Sequence, residues 1–415
     1  TFTNGDESCA GPSETFTITV NPTPQLNDPA DQVIFTGEST NVVTLTSSVN
    51  GVTYSWSANE PTGNLIGLSQ SSGTSNQIPS ETLINNTSGP LVLTYTITPI
   101  LDGVDCEPII EEYTITINPA VTMLAVEDEV VCNGDEVNID FESANSGGST
   151  TFEWINDTES IGLSSPGSTA GFTFTAVNTG TIPVVATITV TPTFENGGIN
   201  SEGTSQTFTI TVNPTAQVNE IQDLVLCNLE ETTLVSFTTD NTEGITTYSW
   251  INNTPSIGLD PTGDGDIEPF TAVNNGTSPV TATITVTPTY TNEGVSCDGP
   301  DEIFTISVNP TGQVDDPIDQ IICNADTTTV EFSTDNTGGT TTYAWSNDNI
   351  AIGLAELGVG NITSFVAINN GTSPVTATIT VTPTFTNGDE SCPGPAETFT
   401  ITVNPTGQVD PLPSQ

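Results

Sequence analysis

Glu14-Thr15-Phe16-Thr17-Ile18-Thr19-Val20-Asn21-Pro22 puts Phe16, Ile18 and Val20 on one side of an extended chain and Thr15, Thr17 and Thr19 on the other. That period of two, in mostly β-branched residues, predicts a strand with one buried and one wet face. Pro22 ends it, because proline has no N–H to give to a sheet ladder. The phrase returns at Tyr113, Ile115 and Ile117, at Phe208, Ile210 and Val212, at Phe304, Ile306 and Val308, and at Phe399, Ile401 and Val403. Each copy is followed by Asn-Pro, and the chain reads as a tandem array.

The asparagines of these pairs, Asn21, Asn118, Asn213, Asn309 and Asn404, lie 97, 95, 96 and 95 residues apart. Trp56, Trp154, Trp250 and Trp345 follow at steps of 98, 96 and 95. Repeats of this length are whole domains, larger than solenoid units that need neighbours to bury a face. Residues 1–9 (TFTNGDESC) recur unchanged at 384–392. The expected organisation is therefore residues 1–22 as the F–G hairpin end of a preceding repeat, then repeats 1 to 4 at 23–119, 120–214, 215–310 and 311–405. Residues 406–415 are read as a linker or the start of another repeat. Because the sequence opens without methionine in mid-repeat, it is read as a window on a longer protein.

The balance of charge excludes whole classes of function. There are 51 Asp and Glu and no Lys, Arg or His. Nucleic-acid binding needs cationic side chains to displace counterions, so it is not expected. Anionic membrane surfaces are excluded for the same reason. Nothing in the sequence approaches the ~18 apolar residues of a spanning helix, so membrane insertion of this segment is not expected either. No salt bridge can form between side chains, so the carboxylates must be hydrated, accept hydrogen bonds or bind cations. An acidic chain with 34% hydrophobic residues could be disordered, but the sustained alternation and the evenly spaced tryptophans argue for a folded, highly solvated one. Seven cysteines at recurring positions suit an oxidising, extracellular setting.

Repeat 4 shows the plan. A Pro/Gly/Asp linker (311–319) leads to a short strand A at 320–323, with strand B at 329–333, strand C at 342–345 carrying Trp345, strand E at 362–368, strand F at 375–381 and strand G at 397–403. Some seven short strands, turn signals every ~8–12 residues and a tryptophan on the third predict an all-β fold of tandem immunoglobulin-like (PKD-like) sandwiches arranged as a linear rod. At near ~100 residues, each repeat can close its own core.

Val131-Cys132-Asn133-Gly134-Asp135, Ser256-Ile257-Gly258-Leu259, the run from Val280 to Pro288 and the run from Phe399 to Pro405 resemble the Ig/PKD-like repeats of giant Bacteroidota cell-surface adhesins, SprB-like gliding-motility adhesins among them. The resemblance covers the whole chain. It implies type IX secretion, a cell-surface filament, gliding or secretion machinery as partners, and attachment or movement rather than catalysis.

The cysteines fall at two places in each repeat. The end of strand A carries Phe35, Cys132, Cys227 and Cys323, and the F–G loop carries Cys9, Cys106, Ser201, Cys297 and Cys392. Pairing within a repeat gives Cys227–Cys297 and Cys323–Cys392 but leaves Cys106 facing Phe35 and Cys132 facing Ser201. Pairing each F–G loop with the next strand A gives Cys106–Cys132 and Cys297–Cys323, and orphans Cys9 and Cys227. Joining the strand A end of one repeat to the F–G loop of the following repeat gives Cys132–Cys297 and Cys227–Cys392. Phe35 then faces Ser201, so the two missing cysteines are missing together, and Cys9, Cys106 and Cys323 find partners in repeats outside the sequence. Sandwich topology agrees, because within one domain the two places are separated by a strand length, roughly 20–30 Å, against the ~4.4–6.8 Å Cα span of a disulfide. Local bridges within a repeat, or buried free thiols, are the alternative.

Little catalytic chemistry is visible. The usual hydrolases need a His or Lys base beside the nucleophile, and neither residue exists here. The acidic pairs Asp6-Glu7, Asp135-Glu136 and Asp389-Glu390 sit in Asn-Gly turns and read as solvated turn residues. If a cofactor binds, it is Ca²⁺ or another cation held weakly by Asp260, Asp264 and Asp266 on a Gly-rich loop, with Asp315, Asp316 and Asp319 as a second such group. Trp56, Trp154, Trp250 and Trp345 are expected in the cores; exposed, they would stack on sugars. Asn275-Gly276-Thr277 and Asn370-Gly371-Thr372 are sequons that a Thr- and Asn-rich chain produces by chance. Thr327, after Asp326, resembles a Bacteroidota O-glycosylation site. The expectation is a non-catalytic stalk segment of a cell-surface adhesin, its partners being neighbouring repeats of the same longer chain. A self-assembling filament or surface-layer subunit, and a polysaccharide-binding module array, are the rival readings.

Overall fold

Thirteen residues of repeat 4, Val375–Asn387, alternate between buried Ala377, Ile379, Val381 and Phe385 and outward threonines, and form strand F. The computed structural model describes residues 1–415 apart from 62, 104–105 and 410–415. Strand F pairs with strand C (Thr340–Asn347) on one side and with strand G (Glu397–Asn404) on the other. Strand G pairs in parallel with strand A (Gln320–Cys323), which aligns Cys323 with Asn404. Strand C continues into a short strand C′ (Leu357–Val359), and F folds back on a short strand F′ (Glu390–Pro393). The sheet order is A–G–F–C–C′. Opposite it, strand B (Thr327–Val330) pairs with strand E (Ile362–Val366). Phe332, Trp345, Ile352, Ile379, Phe399 and Ile401 fill the space between the layers. Each fully buried isoleucine among them contributes about 2 kcal/mol.

The other repeats follow the same order. Repeat 3 has strand A at Leu224–Cys227, C at Ile245–Asn252, F at Val280–Asn292, F′ at Val295–Asp298 and G at Glu302–Asn309. Its second layer is reduced to bridges between Glu231 and Thr271 and between Val235 and Ile267. Repeat 1 has A at Gln32–Phe35, C at Val52–Asn59, F at Leu91–Leu101 and G at Glu111–Asn118. Repeat 2 has A at Glu129–Cys132, C at Ser149–Asn156, F at Val184–Asn196, F′ at Ile199–Glu202 and G at Gln206–Asn213. The fold is all-β, a tandem of immunoglobulin-like sandwiches. The contacts divide it into two compact units, Thr1–Val177 with Val185–Thr211, and Asn178–Val184 with Val212–Gln415.

A tryptophan organises each core, and the structure shows why a glycine faces it. Trp56, Trp250 and Trp345 stand in register with Gly73, Gly263 and Gly358, and Trp154 bridges to Gly167. A Cβ on any of these glycines would lie 2.0–2.4 Å from the indole ring. The Gly-rich bends after strand C therefore answer to the tryptophan, which packs flat against bare backbone.

Several expectations need correction. The copy of the strand phrase at 14–20 forms no strand, and Phe16, Ile18 and Val20 are 83%, 77% and 88% exposed. Among the described residues this copy has no strand F or A beside it, and a lone amphipathic strand does not hold in water. Strand B begins and ends earlier than expected, and strand E stops at Val366 instead of 368. Strand F runs on through Pro383. That proline occupies the gap where F changes partner, from G up to Val381 to F′ from Thr384, a place where a strand tolerates proline.

Candidate functional site: the joints between repeats

Parallel pairing of A with G sends the end of strand A to the pole opposite the F–F′ hairpin of the same repeat. The strand A end of one repeat can then meet the hairpin of the next. Repeats 3 and 4, which share the second unit, do so.

Cys227, the last residue of strand A in repeat 3, is bonded to Cys392 in the hairpin of repeat 4, 165 residues away, with a Cα–Cα distance of 5.4 Å. Cys392 is 1% exposed. The backbone N–H of Cys227 donates to Glu230 Oε2 at 2.7 Å, which fixes the turn after strand A. Glu390 brings a carboxylate oxygen to 3.8 Å from the Cys227 sulfur. Polar locks surround the bond. Asn387 Nδ2 in the hairpin donates to Oδ1 of fully buried Asn309 at 3.1 Å. The N–H of Thr337 donates to the Thr277 carbonyl at 2.8 Å. Gly338, at φ +76°, lies against Pro279, and an added Cβ would come within 3.0 Å of the proline ring.

Repeats 1 and 2, in the first unit, build the same joint without sulfur. Asn196 Nδ2 donates to Asn118 Oδ1 at 2.8 Å, and Asn118 Nδ2 donates to the Asn196 carbonyl at 3.2 Å. Ser146 N–H donates to the Ser88 carbonyl at 2.9 Å. Gly147, at φ +74°, lies against Pro90, and Gly197 of the hairpin against Val33 of strand A. Strand A with Phe35 runs beside strand F′ with Ser201. The N–H of Phe35 donates to Glu38 Oε2 at 2.7 Å, as Cys227 does to Glu230. Asn292 Nδ2 donates to Asn213 Oδ1 in the same manner, at 3.0 Å.

These amides are the residues that sequence reasoning missed. The asparagine of each Asn-Pro pair was read as part of a strand stop, but at Asn118, Asn213 and Asn309 it is buried and bonded to an asparagine 78 or 79 positions on. The signal was available: every full-length hairpin carries an Asn at that offset. Two neutral amides complement each other as donor and acceptor, which carboxylates alone cannot do.

Of the other predicted positions, Cys9 and Cys323 are exposed free thiols and Cys106 is a half-buried one. Neither Cys132 nor Cys297 is a free thiol. Trp56, Trp154, Trp250 and Trp345 are between 3% and 8% exposed, with the facing glycines against their rings. Thr327 is exposed on strand B. Asp260, Asp264 and Asp266 are not gathered into a cation site; Asp266 instead accepts from the Phe237 N–H at 2.8 Å. Nor do the linker acids form one. Asp319 accepts from the Thr400 N–H at 2.6 Å and Asp315 from the Ser333 hydroxyl at 2.5 Å.

Asp319 has counterparts in every repeat. Asp31, Asp128 and Asp223 accept from the N–H groups of Thr114, Thr209 and Thr305 at 2.6–2.7 Å, so each anchors strand G to the linker ahead of strand A. The Thr209 N–H holds the Asp128 carboxyl below the usual carboxylate range. Among the described residues, Cys227, Glu230 and Glu390 are the group whose ligand-type atoms lie within 4.8 Å of one another. Its sulfur is spent in the disulfide, leaving two carboxylates.

With this geometry in view, comparison with known proteins adds a family for part of the chain. Residues 33–121 match the PKD-like domain. That span covers nearly all of repeat 1 from strand A onward and includes Asn118. A search of curated proteins finds no match. Among solved structures, the chain is similar to Drosophila N-cadherin EC1-4 at 12% identity, covering 91% of this chain and 99% of that one with a TM-score of 0.28. It is similar to the human desmocollin-1 ectodomain at 10% identity, 91% and 80% coverage and a TM-score of 0.32. The eight N-terminal Ig domains of Down Syndrome Cell Adhesion Molecule match at 10% identity, 92% and 49% coverage and a TM-score of 0.37. No helix among the described residues is long and apolar enough to cross a membrane.

Proposed function

We propose that the chain is a force-bearing stalk segment of a repetitive extracellular adhesin, holding a distal binding element away from a cell surface. The observation that carries this reading is the Cys227–Cys392 bond, which runs from one sandwich to the next and spans 165 residues. Tension entering repeat 3 through strand A passes across the sulfurs into the hairpin of repeat 4, and the residues between are bypassed. The Asn–Asn contacts at the joints supply stiffness where sulfur is absent, and the carboxylate-rich surface keeps neighbouring stalks apart. The finer reading, a Bacteroidota surface filament exported by type IX secretion and moved by gliding machinery or used for attachment, follows from the resemblance of the repeats. In the same reading Cys132 and Cys297 form the equivalent bond one repeat earlier, and no catalytic role is assigned.

Single-molecule stretching tests the proposal. Under oxidising conditions the segment between Cys227 and Cys392 does not extend. Adding a reductant releases about 55 nm of further contour length, from 165 residues at ~3.3–3.6 Å each. Equal extension before and after reduction would defeat the reading.

A further inference from the structure

Three of the joint asparagines stand where strand F turns into F′, and two of them are followed by glycine: Asn196-Gly197 and Asn387-Gly388, against Asn292-Glu293. Asn196 lies opposite Ile199, Asn292 opposite Val295 and Asn387 opposite Glu390, so the next residue in each opens the turn. That residue is left-handed in all three, with φ +64° at Gly197, +49° at Glu293 and +62° at Gly388. Such a turn favours glycine.

Glycine there carries a chemical liability. With no β carbon to crowd it, the glycine nitrogen, on losing its proton, can attack Cγ of the preceding asparagine. The Cγ–Nδ2 bond breaks, the amide nitrogen leaves as ammonia with that proton, and a five-membered succinimide remains. Water then opens the ring. Cleavage between Cγ and the ring nitrogen gives aspartate, and cleavage at the main-chain carbonyl gives isoaspartate, whose backbone runs through Cβ. One water is consumed and one ammonia released, with no change of oxidation state.

A closed joint restrains both motions this reaction needs. Rotation about the asparagine Cα–C bond is held by the hairpin register. The swing of the side chain is held by the lock, from Asn196 Nδ2 to Asn118 Oδ1 at 2.8 Å and from Asn387 Nδ2 to Asn309 Oδ1 at 3.1 Å, both acceptors being fully buried. Deamidation therefore waits on opening. Its product does not fit the closed joint. A carboxylate offers only acceptors, and it would face the oxygen that now receives the amide N–H. Turning the Asn118 amide to meet it would cost the bond from Asn118 Nδ2 to the Asn196 carbonyl. The chain has no Lys, Arg or His side chain to neutralise the new charge.

We propose that Asn196 and Asn387 are deamidation sites gated by their joints, protected while the joint is closed, converted while it is open, and unable to reclose once converted. Each joint then keeps a chemical record of the time it has spent open. The inference rests on the joint geometry and not on the load-bearing role, which the stretching experiment tests separately.

The experiment ages the whole chain in mildly alkaline buffer, with and without urea, and reads each asparagine by mass spectrometry of a Glu-specific digest made at acid pH. Asn196 and Asn387 should deamidate at least about tenfold more slowly in the folded chain than in urea. Asn292, followed by Glu293, should stay intact in both, and Asn370, exposed and followed by Gly371, should be slowed less. Asn309→Ala removes the acceptor and should speed Asn387 by about tenfold while Asn196, in the other unit, keeps its protection. Asn196→Asp installs the product. The Ser146 amide, which donates across the joint to the Ser88 carbonyl, should then exchange with deuterium about tenfold faster, with the core amides of strand F in repeat 2 unchanged. Equal rates with and without urea at Asn196 or Asn387 would overturn the proposal without recourse to any variant. So would full protection of Asn387 in Asn309→Ala, or unchanged Ser146 exchange in Asn196→Asp.

Discussion

The joint between repeats 1 and 2 and the joint between repeats 3 and 4 share a plan and differ in chemistry. Both set a strand A end against an F–F′ hairpin, pair two asparagines and bring a glycine onto a proline. One has Phe35 and Ser201 where the other has Cys227 and Cys392. The geometry therefore does not depend on the disulfide; amide complementarity and backbone contact produce it. Sulfur adds covalent continuity, and the unlinked joint compensates with a second amide bond, from Asn118 to the Asn196 carbonyl.

Exchanging the chemistry of the two joints is the strongest way to break this comparison. Cys392→Ser removes a closure of 165 residues and should lower the stability of the second unit by up to about 5 kcal/mol in denaturant titrations. Reductant should do the same, leaving the transition of repeat 1 unmoved. The reverse exchange, Phe35→Cys with Ser201→Cys, should form a new disulfide detectable by thiol counting. If it stays reduced under oxidised glutathione, the two joints are not equivalent in geometry.

A smaller effect separates the amides. Asn196→Ala should cost ~1–2 kcal/mol at the unlinked joint, and Asn387→Ala less at the linked one, where Asn309 Nδ2 has no partner among the described residues. Double-mutant cycles with Asn118→Ala and Asn309→Ala measure the two couplings. Equal values would remove the distinction drawn here.

The smallest expected difference is in alkali. In repeat 1, Tyr95 of strand F stands opposite Tyr113 of strand G, where repeat 4 has Ile379 opposite Phe399. Burial, with minor help from Glu81 and Glu60, pushes Tyr95 up to about 12, and burial raises Tyr113 also. A phenol that ionises later in the folded than in the unfolded state contributes stability fully present below about pH 10 and lost as pH climbs towards 12. Repeat 1 should therefore soften first in that window, and Tyr95→Phe should flatten its pH profile in thermal melts. Half-buried Tyr248 and Tyr343 are raised also, so repeats 3 and 4 should follow at a gentler slope.

Much of the architecture was legible because it rests on period and position. Alternation located strands F and G, and the spacing of tryptophans marked one core per repeat. What failed depended on partners. The phrase at 14–20 has the right pattern and, among the described residues, no strand beside it, so pattern alone did not make it one. Asp260, Asp264 and Asp266 sit close in sequence, yet Asp266 turns inward to cap Phe237. The glycine facing each tryptophan and the asparagine facing each Asn-Pro were visible as letters. Their meaning needed the register that brings them together.

The asparagine pairs at the joints also have a chemical neutrality that the carboxylates around them lack. A carboxamide neither gains nor loses a proton across any natural water and carries no net charge for ions to screen. In brine or in fresh water, the repulsion between neighbouring molecules changes while these clasps hold with the same strength. Such contacts would hold unchanged across an estuary, and only the repulsion between molecules would respond to the tide.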